Sequence, residues 1–207
     1  MGETVAVIAM GEMGSGVARR LHERGATVLT SLAGRSAASA ARAQKAGAIS
    51  VSTDDELVAR ADFILSIVPP GEAVALARRL APAIKQAARK TIYVDCNAVS
   101  PQTADKIGEA LKDTGCIYVD AGIIGPPPGP NSRTIFYASG PGAKELERLM
   151  ARQLRRHRHD PHAGVSKRED GGKADVLRAD DQRATPQRHS LQHELLQRGR
   201  GHDALRP

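Results

Sequence analysis

Ala9-Met10-Gly11-Glu12-Met13-Gly14 sets two glycines three positions apart, directly after an apolar run and directly before an amphipathic one. That pattern suits one kind of chemistry. A chain that turns tightly out of a buried strand into a helix offers unpaired backbone N–H groups and the positive end of the helix dipole to an anion. A dinucleotide pyrophosphate asks for three things there: a tight turn, a backbone that comes close without a Cβ in the way, and a helix packed close to the strand. Gly11 and Gly14 fit the second and third roles. Ala9 stands where the G-x-G-x-x-G fingerprint has its first glycine, and a methyl group is tolerated there while φ stays negative. Glu12 and Met13 fill the variable positions, and Met10 lies between Ala9 and Gly11. A glycine-rich turn in some other α/β domain is the alternative; the strand before and the helix after favour dinucleotide binding.

The second chemical signal is Leu32-Ala33-Gly34-Arg35-Ser36. A domain that prefers NAD carries an acid about 20 residues beyond the glycines to hold the ribose 2′-hydroxyl. No acid is present here. Arg35 can pair bidentately with a 2′-phosphate, and Ser36 can donate to it. NADP is therefore expected over NAD, although a solvated Arg35 and a merely helix-capping Ser36 would give the same letters.

Other reactive side chains form no convincing site. Cys96 and Cys116 are the two cysteines, which suggests a reducing, cytoplasmic setting, though two could also pair. His157, His159 and His162 make H-x-H-x-x-H beside Asp160, but with no cysteines among them and no predicted fold to fix the ligands, adventitious metal binding is the expectation and no metal site is assigned. No stretch approaches the roughly 18 apolar residues of a membrane span. The first residues lack the basic start and long apolar core of a signal peptide.

The elements that must position the glycine turn read clearly. Short apolar strands are expected at Val5–Ala9, Thr27–Leu32, Ile49–Val51, Phe63–Val68, Thr91–Val94, Ile117–Ala121 and Thr134–Ala138. Helices are expected at Ser15–Arg24, Ala37–Lys45, from an Asp54 or Asp55 cap to Arg60, at Glu72–Ala88 with Pro82 kinking or splitting it, from Pro101 to about Lys112, and from Pro141 through Met150. Apolar strands alternating with amphipathic helices predict an α/β, doubly wound, mostly parallel sheet of Rossmann type.

Composition divides the chain near Met150. Residues 1–150 hold 17 Lys and Arg against 15 Asp and Glu; residues 151–207 hold 13 against 8, with six of the seven histidines and none of the Tyr, Phe or Met. The first part can build a core. The second is expected to be a disordered basic tail. Its interleaved acids and lack of stacking aromatics argue against specific nucleic-acid binding.

Five segments together carry a family resemblance: VAVIAMGEMGSGVARRL, GRS after the second strand, IVPPGEA, DCNAVSP and VDAGIIGPPPG. In combination they resemble the β-hydroxyacid dehydrogenase and 6-phosphogluconate dehydrogenase superfamily, and most closely a 6-phosphogluconate dehydrogenase-like subgroup with a distinctive C-terminal domain. The resemblance covers nearly all of residues 4–150. It implies hydride transfer between NADP(H) and a small hydroxy or keto acid. Val68, Pro69 and Pro70 match the loop that lies against the cofactor. Asn97 takes the place of a serine in the family's D-x-S-T-x-x-P motif, which implies contact with cofactor and substrate there; Ser100 belongs to the same motif. Gly125 falls in the segment matching D-A-P-V-S-G-G only in outline. A different substrate from the familiar hydroxy acids is the inference. Asn97 and Ser100 can equally be turn and cap residues before the Pro101 helix.

The family's general acid/base is a lysine in a second domain, and no catalytic residue is assigned in this chain. Read one base later, permitted codons for Asp175–Ala184 spell M-S-Y-A-x-M-T-K-G, and those for Gln153–Arg158 spell S-Y-G-G-I-D. These resemble the lysine helix and the strand expected before it. A change of reading frame near Met150 is therefore expected, with 151–207 a frameshifted remnant of the second domain. A chain without that domain is expected to be a monomer, whereas relatives dimerise through it. A non-catalytic NADP(H)-binding module is the alternative function.

Overall fold

The computed structural model describes residues 2–129 and 132–154. Seven strands form one sheet: β1 Thr4–Ile8, β2 Thr27–Ser31, β3 Ile49–Val51, β4 Phe63–Ser66, β5 Ile92–Asp95, β6 Ile117–Ile124 and β7 Ile135–Ser139. Their spatial order is β3-β2-β1-β4-β5-β6-β7. The first six are parallel, and β7 pairs antiparallel to β6. The helices are α1 Glu12–Glu23, α2 Ala37–Lys45, α3 Asp54–Arg60, α4 Ala73–Gln86, α5 Pro101–Leu111 and α6 Ala143–Leu154. This is the doubly wound Rossmann-type arrangement that the alternation of elements implies.

Strand alternation divides the core into two layers. Val5 and Val7 of β1 join Val17, Ala18 and Leu21 of α1 and Leu146 and Leu149 of α6. Ala6 and Ile8 face the other way, toward Leu57 of α3, Leu76 and Leu80 of α4 and Ile107 of α5. Central strands buried on both faces explain why the sequence shows continuous apolar runs there. Each fully buried leucine contributes about 1.5–3 kcal/mol.

Local chemistry sets the helix starts. Ser36, Thr53 and Ser100 cap α2, α3 and α5, each accepting from the N–H three residues on. Thr53 replaces the expected Asp54 or Asp55 cap. Both acids instead lie in the first turn of α3, where the dipole favours them. Pro82 does not divide α4, which runs unbroken through it. Pro82 and Arg78, four residues earlier, are both exposed, so the position where the proline removes a hydrogen bond lies on the solvent-facing side of the helix. α6 continues past Met150 to Leu154. The tail expected from residue 151 therefore starts as helix through Leu154; the rest of it, with the histidine cluster, lies outside the described residues.

Candidate functional site

Strand order, not strand direction, reverses between β1 and β4: from β1 the sheet grows toward β3, and from β4 toward β7. The crevice at the strand C-termini beside such a switch point is where open α/β sheets bind ligands. Two loops meet there, Ala9–Gly11 after β1 and Ile67–Pro70 after β4. The Ala9 N–H donates to the Ile67 carbonyl at 3.1 Å. Ala9 is half-buried, and its methyl packs on the α3–α5 layer.

The two turn glycines have different reasons. A Cβ on Gly14 would run into the carbonyl oxygen of Ala9, so Gly14 is required by the close approach of α1 to β1. A Cβ on Gly11 would meet nothing within 4 Å, and its φ of −71° suits any residue. Nothing inside the domain demands a glycine at 11. The space beside it is open. No side chain caps α1, so its first N–H groups keep their donors for a ligand. Met10 is buried, Met13 half-buried and Glu12 exposed.

At the end of β2, the chain turns through Leu32–Arg35, with the Arg35 N–H donating to the Leu32 carbonyl at 3.0 Å and Gly34 at φ +68°. Arg35 and Ser36 are exposed at the start of α2. The Ser36 hydroxyl accepts from the Ser39 N–H at 3.3 Å and lies 3.2 Å from the Ser39 hydroxyl. Arg42, half-buried on the same helix, donates through Nη2 to Ser39 at 3.4 Å and through Nε to the Met10 carbonyl at 2.7 Å.

On the opposite flank, Asn97 is a buried hub. Its Oδ1 accepts from the Val68 N–H at 2.8 Å; its Nδ2 donates to Ser66 Oγ at 2.9 Å and Asp95 Oδ1 at 2.6 Å. The loop carrying Val68, Pro69 and Pro70 is thereby fastened to the end of β5. Pro69 and Pro70 are exposed, and Pro70 opens a short 3₁₀ turn to Glu72.

Asp95 is fully buried, in register with Ser66 on β4 and Asp120 on β6, and its second carboxylate oxygen has no partner within hydrogen-bond distance. Burial pushes its carboxyl up to about 6, against hydrogen bonds from Ser66 and Asn97 that favour the charged form; the charge of Asp120 adds to the rise. The raised value means that the folded state holds a proton the unfolded chain has lost. This group therefore favours folding below about pH 4, and that contribution disappears as pH rises through 6. The gap from 3.8 corresponds to roughly 3 kcal/mol. Asp95→Asn should gain stability relative to the wild type by about 2–3 kcal/mol between pH 4 and pH 7.5 in urea unfolding. A pH-independent difference would show an ordinary carboxylate.

The scan against protein families matches residues 4–151 to the NAD binding domain of 6-phosphogluconate dehydrogenase. The chain belongs to that family. A search of the curated proteins finds no match. Among solved structures, it is similar to a conserved protein of unknown function described as structurally similar to 3-hydroxyacid dehydrogenases, at 35% identity and TM-score 0.61, over 72% of this chain and 54% of that one. It shares its fold with 3-hydroxyisobutyrate dehydrogenase of Mycobacterium tuberculosis (21% identity, TM-score 0.61, 74% of this chain and 52% of that one). The same holds for an imine reductase variant of Myxococcus stipitatus solved with NAD+ (22%, 0.62, 74% and 53%). The chain spans about half the length of each.

Residues 4–151 thus form an NAD(P)-binding domain of 6-phosphogluconate dehydrogenase type. Ser100 and Gly125, which the sequence motifs suggested for substrate, have local structural reasons. Ser100 caps α5, accepting from the Thr103 N–H at 3.3 Å. Gly125 has φ +103°, and a Cβ on it would meet the Arg133 carbonyl, so the hairpin between β6 and β7 requires it. That hairpin carries Pro126–Gly129 back over α1: Arg19 Nη2 donates to the Pro128 carbonyl at 3.0 Å, and a Cβ on Gly16 would lie 3.0 Å from Pro127. Sequence reasoning missed Arg42, Ser39 and this clamp. Arg42 follows Ser39 by three on one helix, a spacing that brings side chains together. Nothing in the letters ties it to Met10. Among the described residues no helix is long and apolar enough to cross a membrane.

Proposed function

We propose that residues 1–150 form an NADP(H)-binding domain that, in the intact protein, serves hydride transfer to or from a small hydroxy or keto acid. The observation that carries this reading is Gly11, a glycine without an internal reason, open to the crevice at the start of an uncapped α1. The preference for the 2′-phosphate rests on the end of β2, where Arg35 and Ser36 are exposed and the Leu32–Ser36 turn holds no acid. A bound nicotinamide would supply the hydride. The N–H groups of Gly11–Gly14 would hold its pyrophosphate, Val68–Pro70 would wall the nicotinamide side, and Asn97 would act through the loop it fastens. The side chains of Ser100 and Asn97 already serve the fold, so any substrate contact there uses their remaining hydrogen-bonding capacity or their backbone.

The decisive experiment is titration of the chain with NADPH and NADH. Binding of NADPH at least tenfold tighter is expected. Arg35→Ala should weaken NADPH about 10- to 100-fold, the value of one charge-assisted hydrogen bond, and leave NADH unchanged. Equal loss for both would refute the 2′-phosphate assignment.

The chain as written binds without turnover, because residues 151–207 are the second domain read out of frame. Sequencing the transcript and gene across the codons for Leu149–Gln153 tests this. A single base or splice shift that restores a lysine-bearing domain supports it; an intact frame would make binding alone the function.

A further inference from the structure

We propose that Arg42 is a positioning residue for the dinucleotide, locking the Ala9–Gly14 turn onto α2 and so fixing the span between pyrophosphate and ribose. The proposal rests on the dinucleotide reading above and adds a residue that the fingerprint does not contain.

Three observations carry it. First, α2 has little apolar hold on the domain: Ala43 is the one side chain of the helix that is fully buried. A directional polar link therefore matters more here than on α1 or α4. Second, that link runs between the two cofactor-facing elements. Arg42 Nε donates to the Met10 carbonyl at 2.7 Å across 32 positions, while Nη2 reaches Ser39, whose hydroxyl adjoins the Ser36 cap. A continuous chain of contacts thus joins the glycine turn to the α2 N-terminus. Third, Met10 immediately precedes Gly11. A carbonyl oxygen facing a phosphate repels it; one drawn toward a guanidinium on α2 is turned to a cation, and the turn presents its N–H groups to the anion instead. Arg35 differs in kind. It is exposed in the turn before α2 and would meet only the 2′-phosphate.

The two arginines therefore separate by cofactor. With the full chain, NADPH and NADH dissociation constants are measured by nicotinamide fluorescence for wild type, Arg42→Met, Arg42→Lys and Arg35→Ala, with thermal melts alongside. Arg42→Met is expected to raise both constants by similar factors, about tenfold, because the pyrophosphate is common to both nucleotides. Arg42→Lys keeps a donor and is expected to rescue most of the loss. Arg35→Ala is expected to raise the NADPH constant alone. Arg42→Met that raises only the NADPH constant would make Arg42 a phosphate ligand and overturn the proposal. So would a lower melting temperature with both constants unchanged, which marks a purely structural residue. If Arg42→Met does not fold, Arg42→Lys carries the test: a joint two- to threefold rise supports positioning, and a rise in NADPH alone or no change overturns it. A wild-type chain that binds neither nucleotide overturns the dinucleotide reading, and this proposal with it; wild-type binding with a failed Arg42 pattern overturns only the proposal.

Discussion

Asn97→Leu should lower the unfolding free energy by about 3–5 kcal/mol, with the urea m-value unchanged. Leucine has similar bulk and leaves little cavity, so the loss is polar. The buried Val68 N–H is orphaned, and Ser66 Oγ and Asp95 Oδ1 each lose the bond from Asn97 Nδ2 while keeping the one between them. Each such loss at a buried group costs about 1–3 kcal/mol, and water cannot easily reach any of them. Asn97→Asp sharpens the test. Its carboxylate still accepts from Val68 but sets a second negative charge against Asp95, so its deficit should be larger at pH 7.5 than at pH 5. A loss below 1 kcal/mol for Asn97→Leu would mean that the hub is not what fastens the Val68–Pro70 loop.

The paired glycine substitutions should have the second largest effect, in opposite observables. Gly14→Ala drives a methyl into the Ala9 carbonyl. The carbonyl is backbone and a Cβ has no torsion of its own, so neither can rotate away, and α1 must lift off β1. A loss of about 3 kcal/mol or more is expected, at the upper end for overpacking, with nucleotide binding lost as well. Gly11→Ala meets nothing within 4 Å and needs no change of φ. Its stability should stay within about 0.5 kcal/mol of wild type, while both dinucleotides bind at least about tenfold more weakly, because the new Cβ occupies the pyrophosphate's place. Calorimetric melts and nucleotide titration on the two variants read this directly. A Gly11→Ala chain that binds as well as wild type would remove the main support for the crevice.

The sequence made the scaffold legible because its signals are local. Val5–Ile8 and Phe63–Leu65 are apolar without alternation, as strands buried on both faces must be, and Gly11 and Gly14 follow one of them at the right distance. The substrate side was less legible. Asn97 stands in a motif position that suggests a ligand contact, yet its bonds run inward to Ser66 on β4 and Asp95 on β5, and only the strand register shows that these end side by side. Arg42 reads as one more cation on an alanine-rich helix until α2 is placed against Met10. β6 was expected to stop near Ala121; it runs on because Ile124 pairs with Ile135 of the antiparallel β7, a contact between distant letters. Pro82 was expected to kink or split α4; the split is absent, and the proline sits at an exposed position of a continuous helix.

The bond from Arg19 to Pro128 joins residues 109 positions apart. During synthesis at about 5–20 residues per second, α1 emerges roughly 5–20 s before the segment that covers it. The nascent domain therefore passes through a period in which β1, α1 and β2 exist without their last wall. Contacts so distant in sequence slow folding, because loop closure must precede the gain from packing. A cofactor arriving early would find the turn but not the finished cleft, so full affinity should be acquired late, as a property of the completed hairpin.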